Sequence, residues 1–240
     1  KVSVIHDGIE TKGACPNPSV SLQIPDGGPL LDRSNKVVTF VNRNLEPYRG
    51  YHSFIRAVPE IQRRHPDAHF VIIGGDGVSY GKKADEGRSH KEVYLDEVRD
   101  QVDHSKLHFM GRVPYSVFLK VLQISTAHIY LTYPFVLSWS MMESMSAGCT
   151  IIGSRTQPVV EVLRDGENGL LVDFFNPTEV AARTSEVLDN PAAYTHLGVQ
   201  ARQDMVTNYD LETVCIPRHV QLINALINKE PPPFTIPAPV

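Results

Sequence analysis

Short apolar runs alternate with stretches of helical period along most of the chain. The runs contain many β-branched residues and predict six buried strands, at residues 36–41, 70–73, 107–111, 127–131, 149–152 and 169–172. Between the runs, apolar residues recur every three or four positions, which predicts the connecting helices. Apolar strands that alternate with helices are typical of a parallel sheet covered on both faces. The pattern therefore predicts the α/β class, with a doubly wound, Rossmann-like parallel sheet.

The same pattern divides the chain into three predicted parts. Residues 1–34 are rich in proline and glycine and predict an interdomain strap or linker. Residues 35–228 contain all six strands and then three further helices, predicted at residues 178–188, 192–205 and 211–227. The last helix predicts an exposed apolar face, formed by Leu211, Val214, Val220, Leu222, Ile223, Leu226 and Ile227. Residues 229–240 are rich in proline and predict an extended tail.

Composition limits the classes of protein that fit. With 42% apolar residues in 240, the chain can build a core that needs neither a metal nor a disulfide. Cys15, Cys149 and Cys215 are widely spaced, which favours a reducing compartment. The net charge of −4 argues against a nucleic-acid surface, and no apolar run is long enough to span a membrane. We therefore expect a cytoplasmic protein, and peripheral association with the inner face of the cytoplasmic membrane stays an open alternative.

The loop after the first predicted strand of the sheet carries two arginines. Arg43 and Arg49 flank a strand-to-helix turn, and Gly50 allows the backbone to approach closely. In open α/β sheets, ligands bind beyond the carboxyl ends of the strands. Paired guanidiniums at that place suit a diphosphate, which they bind through charge-assisted hydrogen bonds. The alternative interpretation is two solvated loop arginines.

Residues 133–143 follow a buried strand and open a helix. Ser138 and Ser140 are candidate N-caps, and free backbone N–H groups at such a helix start form an anion site. One turn further along, the carboxylate of Glu143 could accept hydrogen bonds from sugar hydroxyls. The alternative is a surface glutamate on a methionine-rich core helix.

Two further strand ends are candidates for ligand contact. The glycine turn Gly74–Gly77 either lies against a ligand or makes room for a neighbouring element. Backbone groups near Arg112 and Val113 either meet the edge of a base or belong to a plain loop ended by Pro114. The sequence contains neither GxxxxGK[ST] nor HExxH, which disfavours a P-loop and a zinc protease, and we predict no metal site.

Taken in order, these segments resemble the C-terminal, donor-binding domain of retaining glycosyltransferases of the GT-B fold, family GT4. The likeness runs from about Lys36 to Asp189, and its most specific parts are residues 142–148 and 165–172. Residues 5–10 also resemble the segment by which such chains leave their N-terminal domain. The resemblance implies the C-terminal half of a GT-B enzyme with extra C-terminal helices. The start at Lys1 is then expected to be a cut near the hinge between two domains.

The resemblance also implies an activity in cell-envelope polysaccharide biosynthesis. The expected reaction is that of a hexosyltransferase, EC 2.4, which transfers a hexose-type sugar with retention from a nucleotide-diphosphate sugar. The donor would be a UDP-, GDP- or ADP-sugar, with no cofactor and no obligatory metal. The partner would be a glycan or a lipid-linked acceptor, held by the missing N-terminal domain. This chain alone is therefore expected to be inactive.

Site residues follow from the same resemblance. Arg43 and Arg49 would be the catalytic pair, because they would stabilise the charge of the leaving diphosphate. Glu143 matches the glutamate that binds the ribose in the family, and the segment with Arg112 and Val113 would face the base. The donor-binding set implied in this way is Gly75, Arg112, Val113, Phe135, Ser138, Trp139, Ser140 and Glu143.

Two departures from the family pattern bear on function. Phe135 stands eight positions before Glu143, where the family usually has a glutamate that contacts the donor sugar. Arg49 stands where lysine is commoner, and it keeps the charge while adding a second arm for hydrogen bonds. An alternative to the enzyme is therefore a non-catalytic nucleotide-sugar-binding or scaffolding module. A sugar-nucleotide epimerase would need acid and base groups where this sequence has apolar residues.

Overall fold

The computed structural model describes residues 4–84 and 87–231, so most of the tail predicted at 229–240 lies outside the described residues. The described strands are β1 (Ser21–Gln23), β2 (Leu30–Asp32), β3 (Val37–Asn44), β4 (His69–Gly75), β5 (Leu107–Gly111), β6 (Ala127–Tyr130), β7 (Ile151–Ser154) and β8 (Leu170–Val172). β1 and β2 pair antiparallel as a separate hairpin. The other six strands form one parallel sheet in the order β5-β4-β3-β6-β7-β8.

Helices connect the strands and cover the sheet. They are α1 (Tyr51–Arg64), α2 (His90–Val98), α3 (Tyr115–Gln123), α4 (Trp139–Ser146), α5 (Gln157–Val160), α6 (Pro177–Asp189), α7 (Pro191–Asn208) and α8 (Ile216–Ile227). None of the described helices combines the length and the apolar character that a bilayer span requires.

Both faces of the sheet are buried. In β3, Val38 and Phe40 point into the apolar cluster formed with α1, α2 and α6. Val37 and Val41 point into the opposite cluster, formed with α3, α4 and α5. This alternation follows from the two-residue period of a strand, and both sets are apolar because helices lie on both sides. The predicted α/β class and doubly wound parallel sheet are confirmed.

The described part of residues 1–34, predicted as a strap or linker, contains buried side chains and a short hairpin. Ile9, Ala14, Val20 and Leu22 are buried in the cluster beside α3 and α4. The hairpin β1-β2 was not predicted, because strands of three residues are too short to show a period and the proline and glycine around them dominate the pattern. The domain limits at residues 34 and 228 stay a prediction.

α1 runs unbroken through Pro59, with buried residues on both sides of the proline. Some other boundaries differ from those predicted. β7 begins at Ile151 rather than Cys149. α5 is a single turn and carries no periodic signal. The predicted final helix 211–227 begins with a turn of π-helix, Leu211–Cys215, before α8.

The predicted apolar face of the final helix is exposed over α8. The exposed fractions of its side chains are 50% for Val220, 55% for Ile223, 62% for Leu226 and 71% for Ile227. The other predicted members of this face, Leu211, Val214 and Leu222, are half-buried.

Close packing of α7 on the end of α4 gives a test of the fold. A Cβ at Gly198 of α7 would overlap the backbone carbonyl oxygen of Gly148. Gly198→Ala should therefore lower the free energy of unfolding by about 1–3 kcal/mol through overpacking, although alanine gains up to about 1 kcal/mol in helix propensity. Urea denaturation measures the change. Val199→Ala, at a side chain that is 66% exposed, is the matched control, and a stabilised Gly198→Ala variant would contradict this packing.

Candidate functional site

The candidate site lies where the strand order reverses. β3 has β4 on one side and β6 on the other, and the connections that leave these strands run in opposite directions across the sheet. A crevice therefore opens beyond the carboxyl ends of β3 and β6, where ligands bind in open α/β sheets. The loop with Arg49 follows β3, and the loop 131–138 follows β6. The topology thus brings together two of the loops that the sequence singled out.

Gly50 allows these two loops to approach each other. It has a φ of 72°, which other residues rarely adopt, and a Cβ there would overlap the Cβ of Leu131. A hydrogen bond of 2.9 Å from the amide of Tyr133 to the carbonyl oxygen of Tyr48 closes the contact. Gly50 therefore allows the loops after β3 and β6 to lie close together at the crevice.

Arg49 is a buried cation that joins the two loops. Its Nη1 donates to the hydroxyl of Thr132 at 3.0 Å and to the carbonyl oxygen of Val136 at 3.0 Å. Only 8% of the residue is exposed, so these bonds lie in a poorly hydrated place. Within the described part of the chain, Nε and Nη2 make no hydrogen bond, which leaves one arm of the guanidinium for a ligand.

Two aromatic rings flank the Arg49 guanidinium. Its central carbon lies 5.2 Å from the ring centroid of Tyr80 and 5.9 Å from that of Phe135. The two rings meet at an angle of 61°, with centroids 4.8 Å apart. Both distances are within reach of a cation–π interaction, and the rings keep water from the cation. Phe135 itself is 54% exposed and presents an apolar surface beside the cleft.

Glu46 holds the loop that carries Tyr80. Its carboxylate is closed off from solvent, and Oε2 accepts hydrogen bonds from the amides of Ser79 at 3.1 Å and Tyr80 at 3.0 Å. Its other oxygen has no partner among the described residues. A buried charged group held by two amides orders the loop strongly. Glu46 thereby sets the position of the ring above Arg49.

The start of α4 is open at the same crevice. Ser138 occupies the N-cap position, but no side chain of the described residues caps the first turn. The predicted N-cap position of Ser138 is confirmed, but its hydroxyl bonds to Ser140 at 2.7 Å and to the hydroxyl of Tyr130 at 3.0 Å instead of capping the helix. Ser140 lies inside the helix and is no cap either. The first N–H groups of α4 are therefore left without a side-chain acceptor, as an anion site needs.

These groups line a cleft of about 300 Å³. Its walls are formed by Asn42, Arg43, Glu46, Arg49, Tyr80, Val136, Leu137, Ser138, Trp139 and Ser140. Five predicted site residues are thus brought together, namely Arg43, Arg49, Ser138, Trp139 and Ser140. The exposed Arg43 and the buried Arg49 add positive charge to the open helix start.

The other predicted site residues lie around this cleft rather than in its walls. Nη2 of Arg112 lies 3.5 Å from Oδ1 of Asn44. The Arg112 side chain also lies close to Gly75, where an added Cβ would crowd its Nε. Val113 packs partly against the core. Phe135 borders a neighbouring cavity together with Trp139.

Glu143 is held by a residue that the sequence did not single out. Its Oε1 accepts a hydrogen bond of 2.9 Å from the hydroxyl of Tyr115. Burial raises the pKa of the Glu143 carboxyl, and the bond from Tyr115 opposes that shift.

The loop after β4 has the spacing of a nucleophile elbow, Gly77-x-Ser79-x-Gly81. Such an elbow needs a helix directly after the serine, whereas residues 79–84 form no helix and the next α-helix among the described residues, α2, begins at His90. The hydroxyl of Ser79 accepts a hydrogen bond of 2.7 Å from Asn44. The serine is therefore a structural part of the loop. In the described ranges, no group of three or more His, Cys, Asp or Glu side chains could hold a metal ion.

Comparison with known proteins identifies the family. The sequence model described as "Glycosyl transferases group 1" matches residues 28–204, which is more than half of the chain. This chain belongs to the glycosyl transferases group 1 family. The resemblance stated from the motifs is thereby confirmed.

A curated relative in this family comes from Bacillus subtilis (strain 168). Its spore coat protein SA is 29% identical over 193 residues, which cover 75% of this chain and 46% of the relative. The chain therefore spans less than half the length of this relative.

Solved structures agree on the fold. The C-terminal domain of a glycosyl transferase group 1 family protein from Francisella tularensis superposes with a TM-score of 0.70 at 16% identity, over 85% of this chain and 100% of that domain. Anabaena HepE, solved in complex with UDP-glucose, gives a TM-score of 0.73 at 16% identity, over 95% of this chain and 57% of HepE. At this identity the likeness concerns the fold, which is that of a GT-B C-terminal domain.

Four residues around the cleft were not predicted from the sequence. Glu46, Tyr80, Tyr115 and Thr132 act through contacts with residues far away in the sequence, so no local spacing reveals them. Tyr115 has a weak signal, since it directly follows the loop with Arg112. The roles of the ten predicted site residues stay predictions.

The geometry of Arg49 predicts an anion site. Arg49→Ala should weaken the binding of inorganic pyrophosphate by at least about thirtyfold, because a hydrogen bond to a charged group contributes about 2 kcal/mol. Isothermal titration calorimetry measures this affinity. Arg63→Ala, which removes an arginine that is 69% exposed on α1, is the control. Equal affinity in the Arg49→Ala variant and the unmodified chain would refute the assignment.

Proposed function

We propose that this chain is the donor-binding domain of a retaining glycosyltransferase. In this proposal the crevice between β3 and β6 binds the diphosphate of a UDP-, GDP- or ADP-sugar. The observation that carries it is the half-free guanidinium of Arg49 opposite the uncapped start of α4. A buried cation and free helix amides on two sides of one cleft favour a ligand with two adjacent anionic groups.

The proposed catalytic role of this charge is to stabilise the leaving group. When the bond between the sugar and the diphosphate breaks, negative charge grows on the diphosphate oxygens. Arg49 and the amides of α4 are held in place before the reaction and need no reorganisation, which is the condition for electrostatic catalysis, and the exposed Arg43 adds a second cation to the same cleft. In this proposal they supply the positive charge, and the reaction has no obligatory metal.

The nucleoside is proposed to lie across the neighbouring strand ends. Glu143 lies three residues after Ser140, so their side chains share one face of α4 and the carboxylate lies one turn from the cleft. A carboxylate there can accept hydrogen bonds from both ribose hydroxyls. The base would then extend toward Arg112 and Val113 at the end of β5.

The transferred sugar and its acceptor are the finer parts of the proposal. A hexose-type sugar is supported by the fold shared with HepE, which was solved with UDP-glucose. The chain spans less than half of its curated relative, so a glycan or lipid-linked acceptor would bind to a further part of the protein. A chain without that part is expected to bind donor without transferring sugar.

Phe135 favours a second candidate, a non-catalytic module that binds nucleotide sugars. Its exposed ring lies beside Tyr80 and carries no hydrogen-bonding group at a position where the family usually has a carboxylate. Such a site would bind the nucleotide and contact the sugar only through apolar surface. Consumption of any sugar nucleotide by the protein as the cell makes it would exclude this candidate.

Binding measurements with nucleotides test the proposal. UDP, GDP, ADP and their glucose conjugates are titrated into the chain by calorimetry, with pyrophosphate as the reference ligand. We expect one nucleoside diphosphate to bind at least about tenfold more tightly than pyrophosphate, because ribose and base add about 1.4 kcal/mol or more. Pyrophosphate should compete with it. If no nucleotide binds more tightly than pyrophosphate, the site does not recognise a nucleoside and the proposal fails.

A further inference from the structure

Tyr115 makes a contact that packing does not require. The residue is 55% exposed, and its hydroxyl reaches from α3 to Oε1 of Glu143 on α4. A hydrogen bond made by such an exposed tyrosine contributes little net stability to the fold. The contact is therefore better explained by a role in ligand binding than by a contribution to stability.

The carboxylate of Glu143 keeps capacity for a ligand. It is half-buried, and in the described ranges its Oε2 accepts no hydrogen bond. A carboxylate has about four acceptor positions on its two oxygens, of which Tyr115 fills one. A vicinal diol such as ribose donates two hydrogen bonds and fits the remaining positions.

The direction of the Tyr115 side chain is fixed by its surroundings. Tyr115 is the first residue of α3, directly after the loop that ends at Pro114. Its ring lies against Phe118, with centroids 5.6 Å apart, and Phe118 is buried in the core. The contact with Phe118 thus supports one side of the ring whose hydroxyl reaches Glu143.

We propose that Tyr115 is a positioning residue that holds the Glu143 carboxylate toward the ribose hydroxyls of the donor. The inference rests on the proposed function, since it assumes that a nucleotide occupies the crevice. It adds a residue of α3 to the nucleoside site and links the loop expected to face the base with the group expected to bind the ribose.

The hydrogen bond from Tyr115 also affects the ionisation of Glu143. Burial raises the pKa of this carboxyl, and the hydrogen bond from Tyr115 lowers it again. Among the described residues, the carboxyl of Glu10 also acts on Tyr115, whose pKa it raises. Removal of the Tyr115 hydroxyl should raise the pKa of Glu143 further. The charged form that accepts both ribose hydroxyls would then be lost at a higher pH.

The test compares ribonucleotides with nucleotides that lack the diol. UDP, GDP, ADP and their 2′,3′-dideoxy counterparts are titrated into the unmodified chain and Tyr115→Phe. The variant should bind the preferred ribonucleotide about five- to tenfold more weakly, which is the effect of losing one ordinary hydrogen bond that acts on the ligand only through Glu143. Its affinity for the dideoxy form should stay within about twofold. Tyr194→Phe, at a half-buried tyrosine of α7, is the control.

The outcomes separate the inference from the proposed function. The positioning role is supported if Tyr115→Phe loses affinity for the ribonucleotide but not for the dideoxy form. When binding is measured against pH, the ribonucleotide affinity of the variant should also begin to fall at a higher pH than that of the unmodified chain. An equal loss for both nucleotide forms, or no loss, overturns it and leaves the proposed function intact. If the unmodified chain binds no nucleoside diphosphate, both are overturned.

Discussion

The site depends on one buried guanidinium. Arg49 donates to Thr132 and to the carbonyl oxygen of Val136, and so joins the loop after β3 to the loop after β6 at the point where the sheet topology diverges. Gly50 permits the close approach that these hydrogen bonds need. Because one arm of the guanidinium is engaged by protein, the other is aimed before any ligand arrives. Binding then requires no ordering of a long side chain, whose entropy cost is otherwise large.

The surroundings of Arg49 make its charge effective. Tyr80 and Phe135 lie against the guanidinium and keep water away, which strengthens electrostatic interactions there. Glu46 holds the Tyr80 loop through two backbone amides, so the buried Glu46 carboxyl group orders the loop that lies over Arg49. The chain carries a net charge of −4, yet this cleft presents two arginines and an open helix start. Local placement, and not overall charge, therefore determines which ligand the surface favours.

The buried strands, and the loops at their carboxyl ends, could be predicted from the sequence. The six parallel strands are buried on both faces, so their apolar runs stood out, and the loops with Arg49 and Ser138 could be placed at one edge of the sheet. The hairpin β1-β2 and α5 are too short to show a period. The uncapped start of α4 could not be predicted, since its serine bonds to Tyr130. The contact of Tyr115 with Glu143 spans 28 positions, and only the tertiary fold brings the two side chains together.

We propose that a diphosphate binds between Arg49 and the start of α4. A crystal structure of the chain with a bound nucleoside diphosphate is the direct test. We expect the phosphate farther from the ribose to lie within hydrogen-bond distance of the free arm of Arg49 and of the first N–H groups of α4. We also expect Arg49 to keep its hydrogen bonds to Thr132 and Val136. A diphosphate bound elsewhere on the chain, with these groups left without phosphate contacts, would contradict this placement.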